Sequence, residues 1–202
     1  MRDIREPNGS EEPGGGGGGG DPPPPPPIRH LDLNMICVGF EDFTATDVAD
    51  MLHAIDVTRT IYAKVRLNVR NVGFYQISAS DAGANAVIDS EAEAADLTWD
   101  WSVDNDSLDV FVVRVMNGAD GWSSIDGSCD KDVKGLTGSV VSLNGTTRNA
   151  ANTLAHEVGH YLGLDHIPDA GNFIGGDGSS NGFTGIFPWQ GAIMRQHCFV
   201  RS

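Results

Sequence analysis

The chain has 202 residues, with 28 acidic side chains against 13 basic ones and a formal charge of −15. This length fits one domain with a tail, and an apolar content of 40% is enough for a packed core. The acidity opposes nucleic-acid and anionic-membrane partners, and no apolar run approaches the roughly 20 residues of a membrane helix.

Residues 1–27 are low complexity, a run of glycines followed by DPPPPPP. Polyglycine is flexible and polyproline stiff and extended, and neither buries apolar surface. The segment reads as a disordered leader or linker, with structure beginning near Ile28. It also lacks the apolar core of a signal peptide. LNMICVGF (33–40) reads as a strand. FTATDVADMLHAIDVTRTIY then carries apolar residues at helical spacing and is read as a helix capped by Thr46 or Asp47. KVRLNVRNVGFYQIS (64–78) alternates at Val65, Leu67 and Val69, as a second strand does. SEAEAADLTWDW (90–101) reads as a helix, and LDVFVVRVM (108–116) is nearly continuous in apolar residues, as a central strand is. A loop rich in Gly, Ser and Asp leads to the short strand TGSVVSL (137–143), and a long helix starts near Thr147. After His166 the chain is irregular: AGNFIGGDGSSNGFTG, then FPWQGAIMRQHCFVRS. The pattern is an α/β half followed by a small loop-rich half, with room for a cleft between them.

The long helix carries HEVGHYLGLDH (156–166). His156 and His160 are four apart, about 40° of rotation and one turn of rise, so their rings sit side by side and can grip one ion. Ala151, Leu154, Ala155, Val158 and Leu162 form an adjacent stripe that can bury against the sheet. Glu157 lies about 100° round from His156, where it can hold a water on the metal rather than the metal itself. Gly163 can take the left-handed conformation that ends a helix, which lets the chain bring His166 to the same ion. Three neutral imidazoles leave the fourth position of a tetrahedral zinc open, the catalytic arrangement. Isolated histidines are usually structural, but a chance match of these five positions in a chain of this length is below roughly one in a thousand.

The eleven residues match H-E-x-x-H-x-x-G-x-x-H, which resembles the zinc signature of the metzincin metalloproteases. Those enzymes also place a methionine turn beneath the zinc, and GAIMRQ supplies Met194, 28 residues after His166. The resemblance covers roughly residues 31–196. It implies an α+β fold: a twisted mixed sheet packed with helices, including the active-site helix (28–166), then a small irregular C-terminal subdomain with the Met-turn (167–202). It further implies His156, His160 and His166 as ligands of one catalytic zinc, Glu157 as general base and Met194 as an apolar floor. Gly138, Ser139, Val140, Val141 and Ser142 then resemble the edge strand that binds a peptide substrate. The expected protein is a monomeric endopeptidase, secreted or extracytoplasmic, with no membrane insertion. Three departures leave the subfamily open among matrixin-, adamalysin- and pappalysin-like enzymes. Ile167 after the third histidine matches no subfamily's characteristic residue. Gln196 stands where some relatives have a tyrosine. Only eight residues follow Met194, so the C-terminal half is either minimal or a fragment.

Other features are weaker. GGDGSSNGF (175–183) is faintly similar to a calcium-binding turn, but Ser180 stands where an aspartate is needed, and a flexible loop is the simpler reading. The carboxylates of DNDSLD (104–109) read as turn caps, and His30, His53 and His197 as structural or exposed. Cys129 and Cys198 can be bridged in an oxidising setting, though spacing does not fix the pairing. Cys37 reads as a core residue, the sharper alternative being a thiolate that caps the zinc. Two rivals to the peptidase remain: a metal-bearing binding module without catalysis, and a surface domain whose loops bind calcium.

Overall fold

A computed structural model describes residues 24–143, 147–175 and 183–202, with the backbone alone for 147–150. Most of the leader and the centre of the proposed calcium turn lie outside the described residues. In chain order the elements are β1 (Arg29–Val38), α1 (Ala45–Ala63), β2 (Leu67–Ile77), α2 (Ala79–Ala82), β3 (Val87–Ile88), α3 (Glu91–Asp100), β4 (Leu108–Val113), β5 (Val115–Met116), β6 (Gly121–Ser123), β7 (Ser139–Ser142), α4 (Thr147–Tyr161) and α5 (Pro188–Met194).

The architecture is mixed α/β around a mostly parallel sheet. Five strands run in the order β2-β1-β4-β7-β6, parallel except for β6, which lies antiparallel on β7. β1 and β4 are the centre, and all six residues of β4 are buried. Because side chains alternate across a strand, the two faces build two cores. Leu31, Leu33, Met35 and Cys37 of β1 pack with α1 and α4. Ile36 and Val38 pack with Ala94 and Leu97 of α3 and with Phe111, Val113 and Val140.

Several boundaries move for local reasons. α1 is capped by Thr44, not by Thr46 or Asp47: the Thr44 side chain accepts from the Asp47 amide, and the Asp47 carboxylate accepts from the Thr44 amide at 2.7 Å. This is a reciprocal capping box, with Asp47 in the third helical position. The apolar run 108–116 is broken at Arg114, which is exposed and pairs with Asp47, and β5 then leaves the main sheet to pair with β3. Cys37 Sγ lies 3.6 Å from Met51 Sδ inside the core, so the thiolate-cap reading does not hold.

The largest correction concerns β7. It is an interior strand, flanked by β4 and β6, and its four residues are all buried. Gly138, Ser139, Val140, Val141 and Ser142 therefore do not form the sheet edge. The edge on that side of the sheet is β6, Gly121–Ser123, inside the segment whose composition reads as loop, and β2 is the opposite edge. A strand apolar and buried on both faces is an interior strand.

Of the described residues after α4, Phe173, Ile174, Met194, Phe199 and Val200 pack in the same core as Leu154, Ala155 and Val158 of α4. Ile167 bridges Gly175, and Asn172 bridges Gly185. Cys129 and Cys198 form a disulfide, and Arg201 bridges His30 at the start of β1.

Candidate metal centre

α4 is buried on all sides from Ala151 to its end, rather than presenting one polar face. A polar side chain on such a helix needs a partner, because burying it unpaired is costly. His156 and Glu157 are 2% and 7% exposed, and His160 is 7% exposed. Gly159 makes room on this helix: a β-carbon there would come within 2.8 Å of the Phe173 ring. Phe173 can thus approach closely, and its carbonyl accepts a hydrogen bond from His156 Nδ1 at 3.1 Å.

The helix ends as its sequence requires. Gly163 takes a φ of 93°, its amide bonds the His160 carbonyl, and the Leu164 amide bonds the Gly159 carbonyl. These two bonds form a Schellman motif, and the left-handed residue reverses the chain. The reversal places the Leu164 carbonyl 2.7 Å from His160 Nδ1 and carries His166 back over the helix.

With Nδ1 of His156 and His160 donating to carbonyls, each Nε2 is left with its lone pair outward. The Nε2 atoms of His156 and His160 are 3.0 Å apart, those of His156 and His166 are 3.0 Å apart, and those of His160 and His166 are 3.2 Å apart. Ring nitrogens converging this closely, two of them with lone pairs outward, repel unless a cation sits among them. Nitrogens about 2.0–2.1 Å from a tetrahedral zinc would stand about 3.3–3.4 Å apart, so the triad fits that ion. The electrostatics agree. Burial, then the neighbouring His160 and His166, holds His156 down to about 4 against the pull of the Phe173 carbonyl. Burial likewise lowers His160. Both imidazoles are therefore neutral near pH 7, as metal ligation requires.

Glu157 points to the edge strand. A β-carbon on Gly121 would lie 2.6 Å from its Cγ, so β6 passes directly over this carboxyl. Burial pushes Glu157 up to about 8, with the Asp120 carboxylate adding to the shift. The positive charge of an ion held by the triad acts in the opposite direction and favours the carboxylate.

Met194 is fully buried as the last residue of α5, in the same core cluster as Val158, Tyr161 and Phe173. The chain turns immediately after it, with the Gln196 and His197 amides bonding the Ile193 and Met194 carbonyls. Asn172 and Gln190 fix this helix relative to the histidines. Their buried side-chain amides pair reciprocally at 2.8 and 3.0 Å, one residue from Phe173. Sequence reading missed Gly121, Asn172, Gln190 and the Phe173 carbonyl. Only Gly159, inside the motif, carried a visible hint. Asp109 of the acidic stretch is no turn cap alone: it is buried, paired with Lys131 Nζ at 3.0 Å and with Asn34 at 2.6 Å. A second group of potential ligands, Cys129, His197 and Cys198, is occupied by the disulfide.

Comparisons with known proteins point the same way. Residues 46–167, more than half of the chain, match the sequence profile of metallo-peptidase family M12B, reprolysin-like. Among solved structures, metalloproteinase-II from Bacteroides fragilis matches with a TM-score of 0.58 at 14% identity, over 88% of this chain and 55% of that one. Archaemetzincin from Methanopyrus kandleri matches with a TM-score of 0.58 at 15% identity, over 83% of this chain and 95% of that one. A chain from a chaperone–substrate complex matches with a TM-score of 0.55 at 18% identity, over 78% of this chain and 29% of that one. At such identities the likeness is one of fold. A comparison with curated protein sequences finds no match.

Proposed function

The chain belongs to the reprolysin-like metallopeptidase family M12B, and on that premise we propose that it is a zinc-dependent endopeptidase. His156, His160 and His166 hold the metal, Glu157 is the general base, and Met194 is part of the apolar floor. The observation that carries the reading is the convergence of three Nε2 atoms to 3.0–3.2 Å, two of them with Nδ1 tied to carbonyls. Zinc held there supplies Lewis-acid polarisation of water and of the scissile carbonyl.

The protein's own groups do the rest. Glu157 takes a proton from the attacking water and passes it to the leaving amine nitrogen. β6 binds the substrate as an added strand. In the antiparallel β6/β7 pair the Ser142 amide bonds the Asp120 carbonyl at 2.9 Å. By the alternation of such ladders, Trp122 also faces β7, and the backbone groups of Gly121 and Ser123 face outward. An extended peptide can pair with them beside Glu157. The Cys129–Cys198 disulfide supports an extracytoplasmic setting. No helix among the described residues is long and apolar enough to cross a membrane.

The test is zinc analysis with a peptide-cleavage assay. His156→Ala, His160→Ala and His166→Ala should each lose most of the metal. Glu157→Ala should keep the zinc and lose on the order of 10² to 10⁴ in rate. A Glu157→Ala protein that retains both zinc and activity would refute the mechanism. Zinc binding with no cleavage by the wild type would favour the non-catalytic module.

A further inference from the structure

Edge strand β6 is fastened to α4 at two places. At its start, Gly121 rests on Glu157 with no space for a side chain. Just past its end, the loop that follows caps the C-terminus of the metal helix: the Asp126 amide bonds the His160 carbonyl at 3.0 Å, and the Gly127 amide bonds the Tyr161 carbonyl at 2.9 Å. The loop accepts a strained residue to do so, since Asp126 has a φ of 56°. Tyr161, adjacent to the ligand His160, then grips the loop. Its hydroxyl donates to the Ser128 carbonyl, and its ring fills the space that a Gly127 side chain would need, 2.3 Å from a β-carbon there. His197 holds the other side, with Nε2 donating to the Gly127 carbonyl at 2.9 Å and its ring edge-on to Tyr161. The next residues on both segments, Cys129 and Cys198, are joined.

We propose that this assembly is a clamp that sets the substrate strand over the metal helix, with Tyr161 and His197 as positioning residues and the disulfide as its lock. Neither ring is a ligand and neither reaches the reacting atoms. Their effect passes through residues 124–128 to β6, so peptide binding depends on the clamp while zinc binding does not. The part that concerns substrate rests on the endopeptidase reading, but the ordering of β6 does not.

Hydrogen exchange over residues 119–128 of the zinc-loaded full chain tests the clamp. It is compared for the oxidised wild type, for wild type reduced with a phosphine, and for Tyr161→Phe, which keeps the ring and removes the hydroxyl. Loss of one buried hydrogen bond should speed exchange there about fivefold in Tyr161→Phe, and reduction should speed it further. KM for an extended peptide should rise by a similar factor with kcat nearly unchanged, and zinc content should stay at the wild-type level. Should reduction unfold the whole chain, Tyr161→Phe decides alone. Unchanged exchange over 119–128, or zinc lost in step with it, overturns the clamp. Exchange is read without substrate, so a wild type that cleaves nothing refutes the endopeptidase and leaves this test intact.

Discussion

Gly121 and Gly159 act at the site through what they lack. A side chain at 121 would occupy the volume of the Glu157 carboxyl, and one at 159 would push away the ring whose backbone orients His156. The crowding at Glu157 has a thermodynamic consequence. Its pKa is raised to about 8 by burial and Asp120, against roughly 4.3 unfolded. A carboxyl raised on folding stabilises fully below its unfolded value and loses that contribution as pH climbs towards the folded value. In the metal-free protein, Glu157→Gln should therefore be more stable than wild type by a few kcal/mol at pH 8, each pKa unit being about 1.4 kcal/mol. The difference should shrink as pH falls and vanish near pH 4.5. Denaturant melts of chelator-treated protein measure it, and a difference that does not vary with pH would contradict the burial argument. Met194 gives a second residue-scale test. Met194→Leu conserves apolar volume and should cost under about 1.5 kcal/mol. Met194→Arg places an unpaired charge in the core and should unfold the protein or expel the metal. Equal tolerance of both would show that the floor is not apolar.

The elements differ in how far sequence reveals them. β4 and α1 were plain from continuous or periodic apolar residues, and the metal helix from its ligand spacing. β6 was not, because three residues, Gly121, Trp122 and Ser123, show no period and sit among turn formers. Its strand character comes from pairing with β7, a long-range contact that local composition does not encode. The signal present was indirect. Val140 and Val141 of β7 are adjacent apolar residues, as expected where both faces are covered, which left the edge to another strand. The histidine partners were hidden for the same reason: Phe173 reaches His156 through the tertiary fold. With β6 as the edge, alternation along the strand predicts opposite outcomes at neighbouring residues. Ser123→Pro removes an outward amide and should raise KM for an extended peptide without lowering zinc content. Trp122→Pro removes an amide directed at β7 and should lower stability first. Should both substitutions leave KM unchanged, the peptide does not pair with β6.

At the scale of the molecule, charge adds what no single contact supplies. The net charge of −15 gives the molecule a net negative field, and Asp120 immediately precedes the edge strand. Such a field concentrates cationic ligands and speeds their encounter, while it slows anionic ones. At the centre itself, burial lowers His156 and His160, so these two rings add no positive charge near pH 7. Substrates of equal length carrying lysines away from the scissile bond should therefore show higher kcat/KM than glutamate-bearing counterparts. The effect belongs to encounter, so it should sit mainly in kcat/KM rather than in kcat. It should also depend on ionic strength, because the Debye length contracts from about 30 Å at 0.01 M salt to about 3 Å at 1 M. Raising salt across that range should reduce the lysine-over-glutamate ratio by about tenfold or more, at the low end of the range known for electrostatic steering. A ratio that persists at 1 M salt would instead place a short-range acidic subsite beside β6, and a ratio near one at low salt would show that the field does not reach the cleft.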